Sequence, residues 1–212
     1  MMGFLSENSP TARLFKRLCA LITVSSRING LIFDCDGTLA DTMPIHLKAW
    51  CDTFNRYGYD CLPEFIESVQ GMPAVKIVEQ FNRQFKAAID ARQFALEKNR
   101  RASHNLAKAR PIEPVMAVVQ RFKGKLPMAV ASGGIRKNVD LILDSIGLKN
   151  VFETVITSDD PVLPKPNPDI FLEAARRMGV QPEFCQVFED GEAGLVAARK
   201  AGMVATDVRI YL

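Results

Sequence analysis

The chain has 212 residues, of which 48% are apolar and 24% charged, and its net charge is +3. That length suits one domain or a core domain with an insertion, and it buries roughly 70% of the unfolded surface, enough for an enclosed site. The composition is that of a soluble globular protein, and the near balance of charge excludes the concentrated basic face of a nucleic-acid binder.

In chain order, residues 14–24 (LFKRLCALITV) place basic residues before a short apolar run. The run lacks a cleavage site and is too short to span a bilayer, so residues 1–27 are expected to form an extension, with no membrane role. Residues 30–34 (GLIFD) read as a buried strand ending in a carboxylate. From 43 to 110 no good strand occurs. Helical patterns fill the interval at 46–57, 74–85 and 87–107, which predicts an all-helical insertion. Strand signals return at 127–132 (PMAVAS), 153–158 (ETVITS), 185–188 (CQVF) and 204–208. Helices are expected at 135–146, 168–178 and 192–201, each stopping before a glycine: Gly147, Gly179 and Gly202.

Alternating strand and helix predicts an α/β fold: a Rossmann-like, doubly wound parallel sheet with helices on both faces and an inserted helical cap. The expected division is a core of 28–42 and 111–212 and a cap of 43–110. The cysteines (Cys19, Cys35, Cys51, Cys61, Cys185) are odd in number and show no zinc spacing. No disulfide framework is expected in a chain this long, which implies a reducing, cytoplasmic setting.

Ligands of an open parallel sheet bind at the carboxyl ends of its strands. Those ends carry Asp34 and Asp36, then Ser132, then Glu189 and Asp190, with Lys165 on the proline-rich loop after the third strand. Four acids in one place need a cation, and oxygen ligands select a hard ion such as Mg²⁺. Such a site has the parts for phosphoryl transfer: a carboxylate nucleophile, a second acid for proton transfer, and donors for phosphate oxygens in Thr38, Ser132 and Lys165. Gly37 lets the loop turn so that both aspartates face one group.

The run at 33–42 (FDCDGTLADT) resembles the first motif of the haloacid-dehalogenase-like hydrolases. Ser132 in AVASGG resembles the second motif, Lys165 in PKPNPDIF the third, and Glu189-Asp190 in VFEDGEAG the fourth. Order and spacing agree from 31 to 212. Within that family the chain resembles the branch of β-phosphoglucomutases and sugar-phosphate phosphatases, nearest to bacterial fructose-1-phosphate (6-phosphogluconate) phosphatases. The resemblance implies Asp34 as nucleophile, Asp36 as acid and base, and substrate contacts from Thr38, His46, Ser132, Gly133 and Lys165. It also implies Mg²⁺ on Asp34, the Asp36 backbone carbonyl, Glu189 and Asp190. The expected partner is a small phosphorylated metabolite, a sugar phosphate, acted on by a monomer. Mutases of the branch usually carry D-G-V and a cap arginine; here stand Asp36-Gly37-Thr38 and, at the arginine's position, Ala74, with Lys76 nearby.

Each residue also has an ordinary use. Asp34 and Asp36 could be turn acids, Ser132 a helix cap, Lys165 a solvated lysine, and Glu189 and Asp190 complements to a helix dipole. Strand alternation turns Cys35 away from the two aspartates, as a small buried apolar group. His104 reads as a solvated helix residue and Trp50 as core of the insertion. Alternatives to a phosphatase are a phosphoglucomutase-type isomerase and a family member without activity.

Overall fold

Leu31, Ile32 and Phe33 leave strand β1 (Gly30–Phe33) no side chain for solvent, so the strand needs cover on both faces. The computed structural model, which describes residues 22–69 and 72–212, supplies that cover. Strand β2 (Ala40–Asp41) follows, then β3 (Arg110–Pro111), β4 (Met128–Ala131), β5 (Thr154–Ile156), β6 (Cys185–Glu189) and β7 (Val204–Asp207). Five of these pair in parallel in the order β5-β4-β1-β6-β7, with β1 central. This is the expected doubly wound sheet.

The two-residue period of the strands sorts the core into two layers. Leu31, Phe33, Val130 and Phe188 point to one face. There they meet Val115 and Val119 of helix α5 (Glu113–Phe122) and Val139 and Ile142 of α6 (Arg136–Ser145). Ile32, Ala129, Ala131 and Val187 point to the other face. They pack on Phe171 and Ala174 of α7 (Asp169–Met178) and on Ala197 and Ala198 of α8 (Glu192–Lys200). The small residues of α8 let it lie close on β6. Part of the first 27 residues joins the first layer: Ile22 is buried in it, and Gln186 Nε2 donates to the Thr23 carbonyl at 2.9 Å. The apolar run at 14–24 lies outside the described residues up to position 21.

Between β2 and β3 stand α1 (Met43–Arg56), α2 (Pro63–Ser68), α3 (Ala74–Phe85) and α4 (Ala91–Ser103). They surround a separate apolar cluster that includes Trp50, Phe54, Phe65, Phe81 and Phe94. Ring centroids there approach to 4.4 Å (Phe54 and Phe81) and 4.6 Å (Phe54 and Phe94). Asp90 starts α4 by accepting the amides of Arg92 and Gln93. The two connections to the sheet, β2 and β3, pair antiparallel, Ala40 with Pro111 and Asp41 with Arg110. The chain rejoins the sheet's own packing at Leu106 and Ala109.

The cysteine expectation needs one correction. Cys51 of α1 and Cys61 form a disulfide, because the turn after α1 brings the chain back along the helix end with the two Cα atoms 4.6 Å apart. Spacing along the chain could not reveal that return, and the cysteines no longer argue for a reducing compartment. Cys35 and Cys185 are buried and free. Among the described residues no helix is long and apolar enough to cross a membrane.

Candidate active site

Strand β1 ends at the centre of the sheet, so whatever follows it stands beside the ends of β4 and β6. Asp34 is that residue. It is buried, and its amide continues the ladder by donating to the Phe188 carbonyl at 3.0 Å. Lys165 reaches it from the loop between β5 and α7. Its Nζ donates to Asp34 Oδ1 at 2.6 Å and to Glu189 Oε2 at 2.7 Å. The three residues are joined although they lie 131 and 24 positions apart.

Glu189 ends β6 and is 3% exposed, so its charge must be answered by neighbours. Its Oε1 accepts the amides of Gly191 at 2.8 Å and Asp190 at 3.2 Å, and its Oε2 takes Lys165. Asp190 accepts from Thr38 Oγ1 at 2.8 Å. Thr38 was expected to point its hydroxyl toward phosphate; here the hydroxyl is turned to Asp190. Gly37 has φ +84°, and a Cβ there would run into the Asp190 carboxylate, so the loop closes on that acid only because position 37 has no side chain.

Asp34, Glu189 and Asp190 each offer an oxygen within 4.8 Å of the others. Burial first, and then the charge of Glu189, hold Asp34 well above the usual carboxylate range, against the pull of Lys165. The same two causes push Asp190 up to about 6. The Lys165 pKa also rises: burial would lower it, but Asp34 and Glu189 raise it, so the amine stays charged. One lysine therefore does not offset three acids. An all-oxygen donor set with surplus negative charge fits a hard divalent cation such as Mg²⁺.

Asp36 sits apart from that trio. Its Oδ1 accepts from Thr42 Oγ1 at 2.8 Å and pairs with His46 Nε2 at 3.1 Å. Behind the imidazole, Lys98 Nζ lies 3.2 Å from His46 Nδ1. An ammonium can only donate, so Nδ1 accepts and the ring proton sits on Nε2, aimed at Asp36. Burial alone would raise the Asp36 pKa, but the bonds from His46 and Thr42 outweigh it and keep the carboxyl below its usual range. Lys98 is buried over the Trp50 ring, 5.1 Å from its centroid, and burial pushes its pKa down to about 8.

Sequence reasoning missed Thr42 and Lys98. Thr42 stood at the end of the first motif but was given no role. The signal for Lys98 was a lysine at helical spacing from Phe94, Ala95 and Ala102, on the apolar side of α4.

Ser132 follows β4, is buried, and accepts the Gly134 amide on its Oγ at 3.0 Å. It does not cap α6, which begins after Ile135 with no side-chain cap. A Cβ on Gly134 would lie 3.6 Å from Asp36 Oδ2, so this loop runs beside the second aspartate, and Gly133 is exposed with open space around it. His104 is exposed, with Nδ1 2.6 Å from the Arg100 carbonyl, away from the rim. Trp50 and Cys35 are buried in the insertion cluster and the first sheet layer.

Comparison with known proteins adds independent findings. Residues 31–208 match the sequence model of a family described as haloacid dehalogenase-like hydrolase. The chain is 39% identical over 184 residues to the fructose-1-phosphate phosphatase YqaB of Escherichia coli (strain K12), covering 87% of this chain and 98% of that protein. Among solved structures, CbbY from Rhodobacter sphaeroides in complex with phosphate superimposes with a TM-score of 0.73 at 26% identity, covering 84% of each chain. The β-phosphoglucomutase of Clostridium difficile gives a TM-score of 0.71 at 25% identity, over 85% of this chain and 84% of that one.

Proposed function

Because this chain belongs to the haloacid dehalogenase-like hydrolase family, we propose that it is a Mg²⁺-dependent phosphatase of small phosphate monoesters, of the sugar-phosphate type, working through a phosphorylated Asp34. The observation that carries the reading is the contact of Lys165 with both Asp34 and Glu189 inside an acid cluster able to hold a divalent ion. The similarity to a fructose-1-phosphate phosphatase supports the substrate class.

In this mechanism Asp34 and Asp190, with Glu189 and the Asp36 backbone carbonyl, would hold Mg²⁺. The ion would neutralise the cluster and the substrate's phosphate oxygens. Asp34 attacks phosphorus as the ester P–O bond breaks, and Lys165 and Ser132 neutralise and orient the phosphate oxygens. Asp36 gives its proton to the leaving oxygen. Water then attacks the acyl phosphate, and Asp36 takes a proton from it, regenerating Asp34 and releasing phosphate. The incoming anionic phosphate favours the protonated Asp36 that gives its proton, and His46 and Thr42 stabilise the carboxylate that results, the form that takes a proton from water. The block 43–110 acts as the cap, hinging on the β2–β3 ribbon and closing over the substrate.

Hydrolysis is favoured over phosphoryl return because this block offers a weak grip for a second phosphate. Ala74 opens α3 and packs against the aromatic cluster, and Lys76 is engaged by Glu79 at 3.0 Å. The test is phosphate release from fructose 1-phosphate, 6-phosphogluconate, glucose 6-phosphate and 2-deoxyglucose 6-phosphate, with Mg²⁺ and with chelator. Release from none of them with Mg²⁺ present would sink the proposal. Incubation with β-glucose 1-phosphate and the 1,6-bisphosphate separates the mutase, which would yield glucose 6-phosphate. Beryllofluoride with Mg²⁺ should raise the melting temperature of a competent protein and leave an inactive family member unmoved.

A further inference from the structure

We propose that Gly194 is a positioning residue: the methyl group it lacks is the seat of the Glu189 carboxylate, and through Glu189 it holds Lys165 against Asp34. The proposal rests on the reading of the rim as a phosphoryl-transfer site.

Gly194 is the third residue of α8, buried and in ordinary helical surroundings, where glycine is a poor choice. A turn does not require it, since its φ is not among the positive ones. What requires it is close approach. A Cβ built at 194 would collide with Glu189 Oε2 and Cδ and lie 2.6 Å from Cγ, so its three nearest neighbours all belong to one side chain. A glycine kept only for helix packing would meet backbone or a packing partner there.

Glu189 has little freedom to yield. Its Oε1 is held by the Gly191 amide at 2.8 Å and its Oε2 by Lys165 at 2.7 Å, and the residue is 3% exposed. The oxygen a methyl would strike is the oxygen that holds Lys165. Displacing it leaves Lys165 with Asp34 alone and moves an acid of the metal cluster. By contrast, a Cβ at Gly191 would come only to 3.2 Å of Oε1, a contact small adjustments absorb.

The test is a double-mutant cycle with Gly194→Ala and Glu189→Ala, read by melting temperature, by Mg²⁺-dependent turnover and by the rate at which an amine-reactive reagent labels Lys165, followed by peptide mass spectrometry. Alone, Gly194→Ala should lower the melting temperature, cut turnover about tenfold or more, and speed Lys165 labelling about threefold or more. In the Glu189→Ala background the same substitution should leave turnover and labelling within about twofold, and should not lower the melting temperature, since alanine is the better helix former.

Equal losses in both backgrounds, or Lys165 labelling unchanged by Gly194→Ala, would overturn the proposal. If Gly194→Ala does not fold, a double variant that does fold supports it. A double variant that fails where Glu189→Ala alone folds overturns it. Melting and labelling need no substrate, so they decide the role of Gly194 even if the wild-type protein releases no phosphate.

Discussion

The sheet and the helical block are two different solutions to burying a core. In the sheet, aliphatic side chains alternate to two faces under helices, and every strand is locked to its neighbours by parallel hydrogen bonds. The block has no strand ladder. It packs aromatic rings around Phe54, Phe81 and Phe94, with Tyr59 and Phe65 edge-on to Phe81 and Trp50 stacked with Phe54 and Phe94, and a disulfide joins Cys51 to Cys61. The difference reaches the chemistry. Asp34, Ser132, Glu189 and Asp190 stand at ends of sheet strands or one residue beyond, whereas the block touches the rim through His46 and, behind it, Lys98. The sheet should therefore govern whether the reaction occurs, and the block how well Asp36 is prepared for it.

The strongest way to sharpen that contrast is Asp34→Asn, which should cut phosphate release by about a thousandfold or more while far-UV circular dichroism stays unchanged. Residual turnover within tenfold of wild type would remove the nucleophile from the sheet. Next comes Phe54→Ala in the block, expected to cost about 3–5 kcal/mol through the cavity it leaves. Trp50, the single tryptophan, lies in that cluster, so its fluorescence reports on the block while circular dichroism reports on the whole chain. If the two regions are as separate as their packing, the fluorescence transition in urea should move to lower concentration than the dichroism transition. Coincident curves would break the comparison.

Cys61→Ser should destabilise the block by about 2–3 kcal/mol, the loop-closure value for a bridge spanning a separation of 10 residues. Urea titrations followed by Trp50 fluorescence, with and without reductant, check it; reductant should move the wild type and not the variant.

The smallest effect on turnover, about tenfold, is expected for Lys98→Met, which frees His46 from its second partner. Its effect on stability has the opposite sign. A lysine held at about 8 in the folded protein, against 10.5 when exposed, binds fewer protons folded than unfolded between those values. Wild-type stability is therefore depressed below pH 8 and recovers as pH rises toward 10.5. The variant should be more stable at pH 7 by about 1–3 kcal/mol, with the advantage shrinking through that window, as denaturation at pH 7 and pH 10 would show. A variant less stable than wild type at pH 7 would mean that the contacts of Lys98 with His46 and Trp50 outweigh the cost of burying its charge.

The strand ends were legible because short apolar runs covered on both faces leave few alternatives, and a polar residue at the end of such a run must stand at the sheet's rim. Asp34, Glu189 and Asp190 were readable for that reason, and Lys165 through the motif around it. Lys98 was not, because its meeting with His46 joins two helices 52 residues apart, and nothing in the spacing of α4 states which face α1 will cover. The bond from the Thr38 hydroxyl to Asp190 was not legible either, because it depends on the Gly37 turn bringing the loop against that acid.

The chain by itself determined the order of the five sheet strands and of most helices between them, the helical character of the insertion, and the identity of the acids and the lysine at the rim, since these follow from local pattern and from short motifs. The helices Pro63–Ser68 and Glu113–Phe122 and the short strands Ala40–Asp41 and Arg110–Pro111 did not show in it. Only the tertiary structure decided the Cys51–Cys61 bridge, the Lys98–His46–Asp36 chain and the seat that Gly194 leaves for Glu189. Those depend on how closely packed elements approach one another, and an approach of a few ångströms is a property of the assembled layers that no residue carries alone.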